Sequence, residues 1–248
     1  MNGVAERSFD EFREAIASLP MSDSISRGFL EASPFVLGSD GNLSVVYAPF
    51  DHVNTEAEVM LVGVTPGWTQ MHTSFVEARA GIAEGMDTDS ILRRVKRVAA
   101  FSGSLRTNLV SMLDGIGIAA ALEIGSSSNL FTADGESLLH STSAVRYPVF
   151  KDGKNYTGST PPITDAPLLV PYLDVLAAET EAVRTAIIVP LGKAVEAVLM
   201  HLIRQDEIDR DRCLFGFPHP SGANAHRVTQ YDANRTQLSA TAAAWFQS

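Results

Sequence analysis

Short apolar runs alternate along the chain with segments whose apolar residues recur at helical spacing. The runs occupy residues 58–64, 137–145, 185–191 and 212–217. Runs of this length without strict polar alternation are typical of parallel strands that are covered on both faces. A separate strand is predicted at 43–48, after a turn cluster at 38–41.

Amphipathic segments separate these runs. In segment 89–101, for example, Ile91, Leu92, Val95 and Val98 fall on one helical face. Helices are predicted at 8–19 with Ser8 as cap, 89–101, 106–116, 167–183, 192–204 and 233–246. Strand–helix–strand alternation implies right-handed crossovers. The predicted fold is therefore α/β, a three-layer α/β/α arrangement around a central, mainly parallel four-stranded sheet.

The chain of 248 residues shows no repeat and no long linker. This length fits one large domain or two small ones. We interpret residues 1–248 as a single domain with an N-terminal helical extension over about residues 1–40.

The amino-acid composition argues against several classes of protein function. The apolar runs are far shorter than the ~20 residues that a membrane span needs, so no membrane partner is expected. The single cysteine, Cys213, cannot hold an iron–sulfur cluster or a four-cysteine zinc. The six histidines are scattered, so neither a metal nor another cofactor is expected. A cytoplasmic location is the simplest interpretation.

The net charge of −10 argues against a sequence-blind nucleic-acid binder. This net charge does not exclude a local cluster of basic residues on an otherwise acidic protein. Candidate chemistry is concentrated in three loops, 63–68, 141–148 and 217–227, each at or just beyond the end of a predicted strand. Because ligands of open parallel sheets sit beyond the carboxyl ends of the strands, the three loops are expected to meet at one cleft.

The first loop contains Pro66 and Gly67, which favour a sharp turn. Such a turn presents backbone N–H groups and the side chain of Thr65 to the cleft. The alternative is an ordinary strand-to-helix turn without a functional role.

The third loop holds His219 between two prolines, which restrict its direction. Ser221 and Gly222 could donate hydroxyl and amide hydrogens to a phosphate. Arg227, and Arg146 on the second loop, could supply local positive charge. The alternatives are a structural histidine and solvated arginines.

With these motifs, the chain resembles the uracil-DNA glycosylase superfamily. Gly-Val-Thr-Pro-Gly at 63–67 is similar to its first signature, except at the third place. His-Pro-Ser at 219–221 is similar to its last, and the continuation at 222–224 resembles the single-strand-selective and mismatch-specific branches. Leu-Gly-Lys-Ala at 191–194 resembles the start of the intervening crossover helix, with its alanine one place early. The resemblance spans residues 59–227.

The resemblance implies a role for each matching position. Thr65 occupies the position of the superfamily residue that orients the attacking water. Phe75 or Trp68 lies near the position of the aromatic ring that stacks on the flipped base. Ser143 lies near the asparagine that recognises the base, and His219 would stabilise the departing base. The other implied residues contact substrate (Gly63, Val64, Pro66, Gly67) or DNA and its phosphates (Arg146, Ser221, Gly222, Asn224, Arg227).

The chain departs from the superfamily at two of these positions. Threonine cannot act as a carboxylate, and loss of an acid–base group typically costs about 10² to 10⁴ in rate. Ser143 lacks the two-sided amide that recognises uracil. The cluster cysteines of the thermostable branch are also missing. In one branch the histidine itself attacks the sugar, which makes His219 an alternative nucleophile.

Three functions follow from these observations. The first is a glycosylase that acts on uracil or another damaged base in DNA, with single-stranded DNA among its potential substrates. The second is a binding module that kept the cleft and lost the chemistry. The third is an unrelated small-molecule activity on an α/β fold with similar loops.

Overall fold

The computed structural model describes residues 7–20, 25–30 and 34–247. Its helices are α1 (Phe9–Ala17), α2 (Arg27–Leu30), α3 (Trp68–Ala83), α4 (Thr88–Ala99), α5 (Ser104–Gly115), α6 (Ile118–Ala121), α7 (Pro171–Ala182), α8 (Lys193–Ile203) and α9 (Arg227–Phe246). Its strands are β1 (Val36–Asp40), β2 (Leu43–Val46), β3 (Val59–Gly63), β4 (Leu139–Ser143), β5 (Val149–Lys151), β6 (Lys154–Asn155) and β7 (Ile187–Pro190).

A parallel sheet with the order β4-β3-β7 forms the centre of the fold. Along β3, Val59 and Leu61 belong to one hydrophobic cluster, whereas Met60 and Val62 belong to another. Because successive side chains of a strand point to opposite faces, both faces of this sheet are buried. Three of the four predicted parallel strands are thus confirmed, and the mixed α/β class with them.

The fourth predicted strand, 212–217, is reduced to one parallel bridge between Cys213 and Ile188. Extended pairing does not continue because a 3₁₀ turn at Arg210–Arg212 precedes the bridge and Gly216 follows with φ +93°. The side chain of Arg212 is buried and donates to the carbonyl oxygens of three residues, Thr180, Val183 and Ala186. A four-stranded parallel sheet is therefore not confirmed.

A second, antiparallel sheet has the order β1-β2-β5-β6. Only β2 was predicted from the sequence. β5 and β6 have three and two residues, too few to show a hydrophobic period. They are joined at Asp152 and Gly153, which both have positive φ, as a type I′ two-residue hairpin turn requires.

The six predicted helices are present, with ends shifted by a few residues. α9 begins six residues earlier than predicted, and α3 was not predicted at all. At the N-terminal end, Phe9, Phe12 and Ile16 of α1 pack in the same hydrophobic cluster as β3. Residues 1–6, 21–24 and 31–33 of the predicted extension lie outside the described residues. No helix in the described ranges is long and apolar enough to cross a bilayer.

Candidate functional site

A cleft of about 650 Å³ lies at the carboxyl ends of the parallel strands. All three loops singled out in the sequence contribute to it. Its lining includes the turn after β3 (Gly63, Val64, Thr65, Gly67), the end of β4 (Ser143) and the last loop (His219, Ser221, Asn224). The residues of these distant segments therefore share one concave surface.

The turn after β3 is fixed to the loop that follows β4. The Thr65 hydroxyl donates to the carbonyl oxygen of Tyr147 at 2.7 Å and accepts from the amide of Val149 at 2.9 Å. The amide of Ala144 donates to the carbonyl oxygen of Gly63, which extends the parallel pairing beyond the strands. Thr65 thus lines the cleft, but its hydroxyl is engaged by backbone groups.

His219 has a defined orientation. The amide of Ser221 donates to its Nδ1 at 3.2 Å. Because Nδ1 accepts, the neutral ring carries its proton on Nε2. Burial lowers the pKa of His219, which favours this neutral form. The ring can therefore offer one N–H donor to a ligand.

Side chains of the last loop hold its shape. The Asn224 amide donates to the carbonyl oxygen of His219 at 3.2 Å and to Gln230 at 3.0 Å. Arg227 donates to the carbonyl oxygen of Ser221 at 3.0 Å. Gly222 is exposed. Ser221 and Asn224 line the cleft, whereas Arg227 braces the loop from the first turn of α9.

Two residues expected at the site do not line the cleft, although Arg146 lines the smaller recess beside it. Phe75 is fully buried in the core, with its ring 4.8 Å from that of Phe35 in an edge-on arrangement. It cannot stack on a ligand in the cleft. Arg146 is buried, and its guanidinium binds Glu179 with Nε 2.6 Å from Oε1. It is therefore a core ion pair and not a phosphate ligand.

Pro66 and Trp68 flank the cleft without lining its main volume. Pro66 lines a smaller recess beside it. The amide of Trp68, at the start of α3, donates to Oδ1 of Asn155 at 3.1 Å. The Arg27 guanidinium lies 5.9 Å from the centre of the indole ring.

The aromatic ring at the cleft belongs to Phe101, which was not identified from the sequence. Phe101 has φ +51°, a conformation that bulky residues rarely adopt. Its Cε1 atom would lie 3.1 Å from a side chain placed on Gly63, so the glycine leaves space for the ring. The local sequence pattern does not indicate that Phe101 lies at the cleft. Because Phe101 directly follows an amphipathic helix, the pattern predicts that it belongs to the apolar face of that helix.

Asn155 and Tyr156 also line the cleft and were also missed. They belong to the short strand β6 and its continuation, which carry no periodic signal. The Tyr156 hydroxyl donates to the carbonyl oxygen of Pro161. This contact ties the segment after β6 into a compact loop at the cleft.

A buried polar network lies beneath the second loop. Glu179 accepts from Arg146, and its second oxygen lies 3.0 Å from Nε2 of His140. Burial would by itself raise the pKa of Glu179, but Arg146 and His140 hold it well below its ordinary value. Asp51 accepts from the hydroxyls of Tyr47 and Tyr147 nearby.

Within the described part of the chain, no group of three or more His, Cys, Asp or Glu side chains is placed to hold a metal ion.

Comparison with known proteins identifies a relative of this chain. The chain is 40% identical over 231 residues to the uncharacterized protein YoxB of Bacillus subtilis (strain 168), which covers 92% of this chain and 89% of YoxB. No family model matches the chain. No solved structure matches it.

Proposed function

This chain belongs to the same family as YoxB, and we propose that it is a DNA glycosylase-like protein that hydrolyses the N-glycosidic bond of uracil or another damaged base. The observation that carries the proposal is that the turn 63–67, Ser143 and His219 line one cleft. These are the segments that resemble the signatures of the uracil-DNA glycosylase superfamily. Helices on both faces of the parallel sheet are compatible with the three-layer arrangement of that superfamily.

The chemistry needs a base extruded from the stack and a group that stabilises its departing charge. The ring of Phe101 offers an aromatic surface for the base. As the bond between C1′ and the base nitrogen breaks, the electron pair leaves with the base. The Nε2–H of His219 donates to the oxygen on which that charge collects. Removal of one such donor typically costs about 10² to 10³ in rate.

Water then adds to C1′ and releases its proton to solvent or to the departing base. None of the described residues that line the cleft is Asp or Glu, and Thr65 is engaged by the backbone. The attack is therefore not assisted by a general base. Relative to an enzyme with a placed carboxylate, we expect a rate lower by about 10² to 10⁴.

DNA contact would come from the last loop. The hydroxyl of Ser221 and the exposed backbone at Gly222 can donate to a phosphate, with the loop braced by Arg227. With Arg146 buried in an ion pair, this loop provides the main phosphate contact.

The test is excision from single- and double-stranded oligonucleotides that carry uracil, hypoxanthine or xanthine, with abasic sites as the readout. We expect slow excision that is lost in His219→Ala. Absence of excision across the panel, at high enzyme concentration and low salt, overturns the proposal.

A binding module is the second candidate, and the engaged hydroxyl of Thr65 favours it. Such a protein holds a base or nucleotide without turnover. Binding to the oligonucleotide panel that is lost in His219→Ala, with no abasic product, identifies this function. Unchanged binding in that variant rejects it.

A further inference from the structure

A small recess adjoins the cleft at the end of β4. Its volume is about 20 Å³, and its lining includes Lys96, Phe101, Thr142 and Ser143. Phe101 and Ser143 also line the main cleft. A water molecule needs roughly 10–15 Å³ of such volume, so the recess has room for about one oxygen atom.

Lys96 brings a buried positive charge to the wall between this recess and a second cavity of about 40 Å³, which His52 and Asn54 also line. Its side chain is 8% exposed, and Nζ donates to the carbonyl oxygen of Ser141 at 2.5 Å. Within the described ranges this carbonyl is its only hydrogen-bond acceptor, and no carboxylate lies within 4.0 Å of Nζ. An ammonium group has three N–H donors. Two of them therefore lack an acceptor among the described residues, and burial of a charge in that state is costly.

Thr142 adds a second unsatisfied group. It is 6% exposed, and its hydroxyl has no hydrogen-bond partner among the described residues. Buried polar groups are nearly always paired, so an orphaned hydroxyl requires an explanation. Two such groups that line one recess point to an oxygen acceptor supplied from outside the chain.

The other charged groups near Lys96 are already paired. Arg146 binds Glu179, and Asp51 accepts from two tyrosine hydroxyls. Burial lowers the pKa of Lys96 to about 8, while the negative charge of Glu179 acts in the opposite direction. The ammonium form therefore predominates at neutral pH, and no carboxylate in the described part of the chain pairs with it directly.

We propose that the recess binds an exocyclic carbonyl oxygen of a planar heterocycle seated in the cleft, with Lys96 and Thr142 as donors. The inference rests on the proposed function only in that it places a base in this cleft. An ammonium group can donate but cannot accept. The site therefore selects bases that carry a keto oxygen, such as uracil, hypoxanthine or xanthine, over bases with an amino group at that position. As the bond to C1′ breaks, Lys96 also stabilises the charge on the departing base.

Free bases allow a test that does not depend on excision. The chain contains four lysines, Lys96, Lys151, Lys154 and Lys193, so the Nζ resonances of ¹⁵N-lysine protein can be assigned by substitution. Titration with hypoxanthine or xanthine should shift the Lys96 resonance, whereas adenine should not. Calorimetry of the same titrations gives the affinities.

Thr142→Val is the most informative variant, because it keeps the shape of the side chain and removes a hydroxyl that has no partner among the described residues. We expect it to fold with unchanged stability and to bind keto bases about tenfold more weakly, as loss of one buried hydrogen bond predicts. Lys96→Met should weaken the binding of keto bases by at least the same factor. Lys151→Met is the matched control, since Lys151 also donates to a backbone carbonyl, that of Thr160 at 3.0 Å. Its affinity should equal that of the wild type.

The two proposals can fail separately. Binding of keto bases with a Lys96 shift, but no excision from DNA, supports the recess and overturns the glycosylase. Excision that is unchanged in both Thr142→Val and Lys96→Met overturns the recess and leaves the glycosylase. Absence of any Lys96 shift with the keto bases also overturns the recess.

Discussion

The backbone amide of Ser221 donates to Nδ1 of His219 across 3.2 Å, so a residue two positions later in the chain sets the tautomer of the ring. The Nε2–H that results is the donor on which the proposed chemistry depends. This contact also makes the loop sensitive to protonation, because a protonated Nδ1 can no longer accept.

We expect activity or base binding to fall as the solution becomes more acidic than the pKa of His219, and to fall at alkaline pH as Lys96, whose pKa is lowered to about 8, loses its proton. Burial places that pKa below the ordinary value of 6.5. As the pH falls, His219 takes up a proton at a higher pH in the unfolded chain than in the folded protein. The free energy of unfolding should therefore also decrease as the pH falls below 6.5. NMR titration of the His219 ring measures the pKa directly. A value at or above 6.5 would contradict this account.

Gly192 provides a steric test of the position of His219. It has φ +92°, and a Cβ atom there would lie 2.9 Å from Cβ of His219. Gly192→Ala should cost about 1–3 kcal/mol, because φ +92° with ψ 169° is a conformation essentially restricted to glycine, and it should reduce base binding by displacing the ring. Chemical denaturation and calorimetry measure the two effects.

Gly222→Ala is the control for that substitution. A Cβ atom at Gly222 meets nothing within 4 Å. We expect a stability change within about 0.5 kcal/mol, as for ordinary surface positions. If Gly192→Ala behaves like this control, the close approach to His219 does not constrain the site.

The sequence predicts the parallel core and the meeting of the three loops because both depend on short local signals. Apolar runs mark β3, β4 and β7, and Pro-Gly or Pro-His-Pro marks the turns at their ends. The roles of Phe75 and Arg146 depend instead on which partners surround them. Phe75 has the spacing of a site residue, yet α3 directs it to the core.

The aromatic residue of the cleft could not be predicted for the same reason. Phe101 reaches the site through a left-handed backbone conformation after α4. No periodic pattern of apolar residues indicates this change of backbone conformation. The short strands β5 and β6, which bring Asn155 to the cleft, are set by a turn and by pairing with β2. Long-range pairing of this kind is not visible in a local window of sequence.

Thr65 is expected to act mainly on stability. Thr65→Val removes a hydroxyl that bridges Tyr147 and Val149, and leaves their backbone groups without this partner. The expected loss is about 1–3 kcal/mol in the free energy of unfolding. Thr65→Ser keeps the hydroxyl and should lose less. Equal stability of Thr65→Val and the wild type would show that the bridge contributes nothing.

Glu179 should be the most sensitive position in the buried network. Glu179→Gln removes the carboxylate charge that the guanidinium of Arg146 binds in the core. Breaking a buried pair on one side costs about 3–5 kcal/mol. Because the pKa of Glu179 lies well below its ordinary value of 4.5, its stabilisation is complete above that pH and is lost progressively below it. Urea denaturation at pH 7 and at pH 4 measures both effects.

Two controls separate the buried pair from charge effects in general. Glu84→Gln removes a carboxylate that is 54% exposed and bound to Arg94, and exposed pairs contribute about 0–1 kcal/mol. The double variant Glu179→Gln with Arg146→Met removes both charges, so it should lose less than Glu179→Gln alone. If the double variant loses the sum of the two single losses, Arg146 and Glu179 are not coupled. The large cost of Glu179→Gln would then come from its contact with His140.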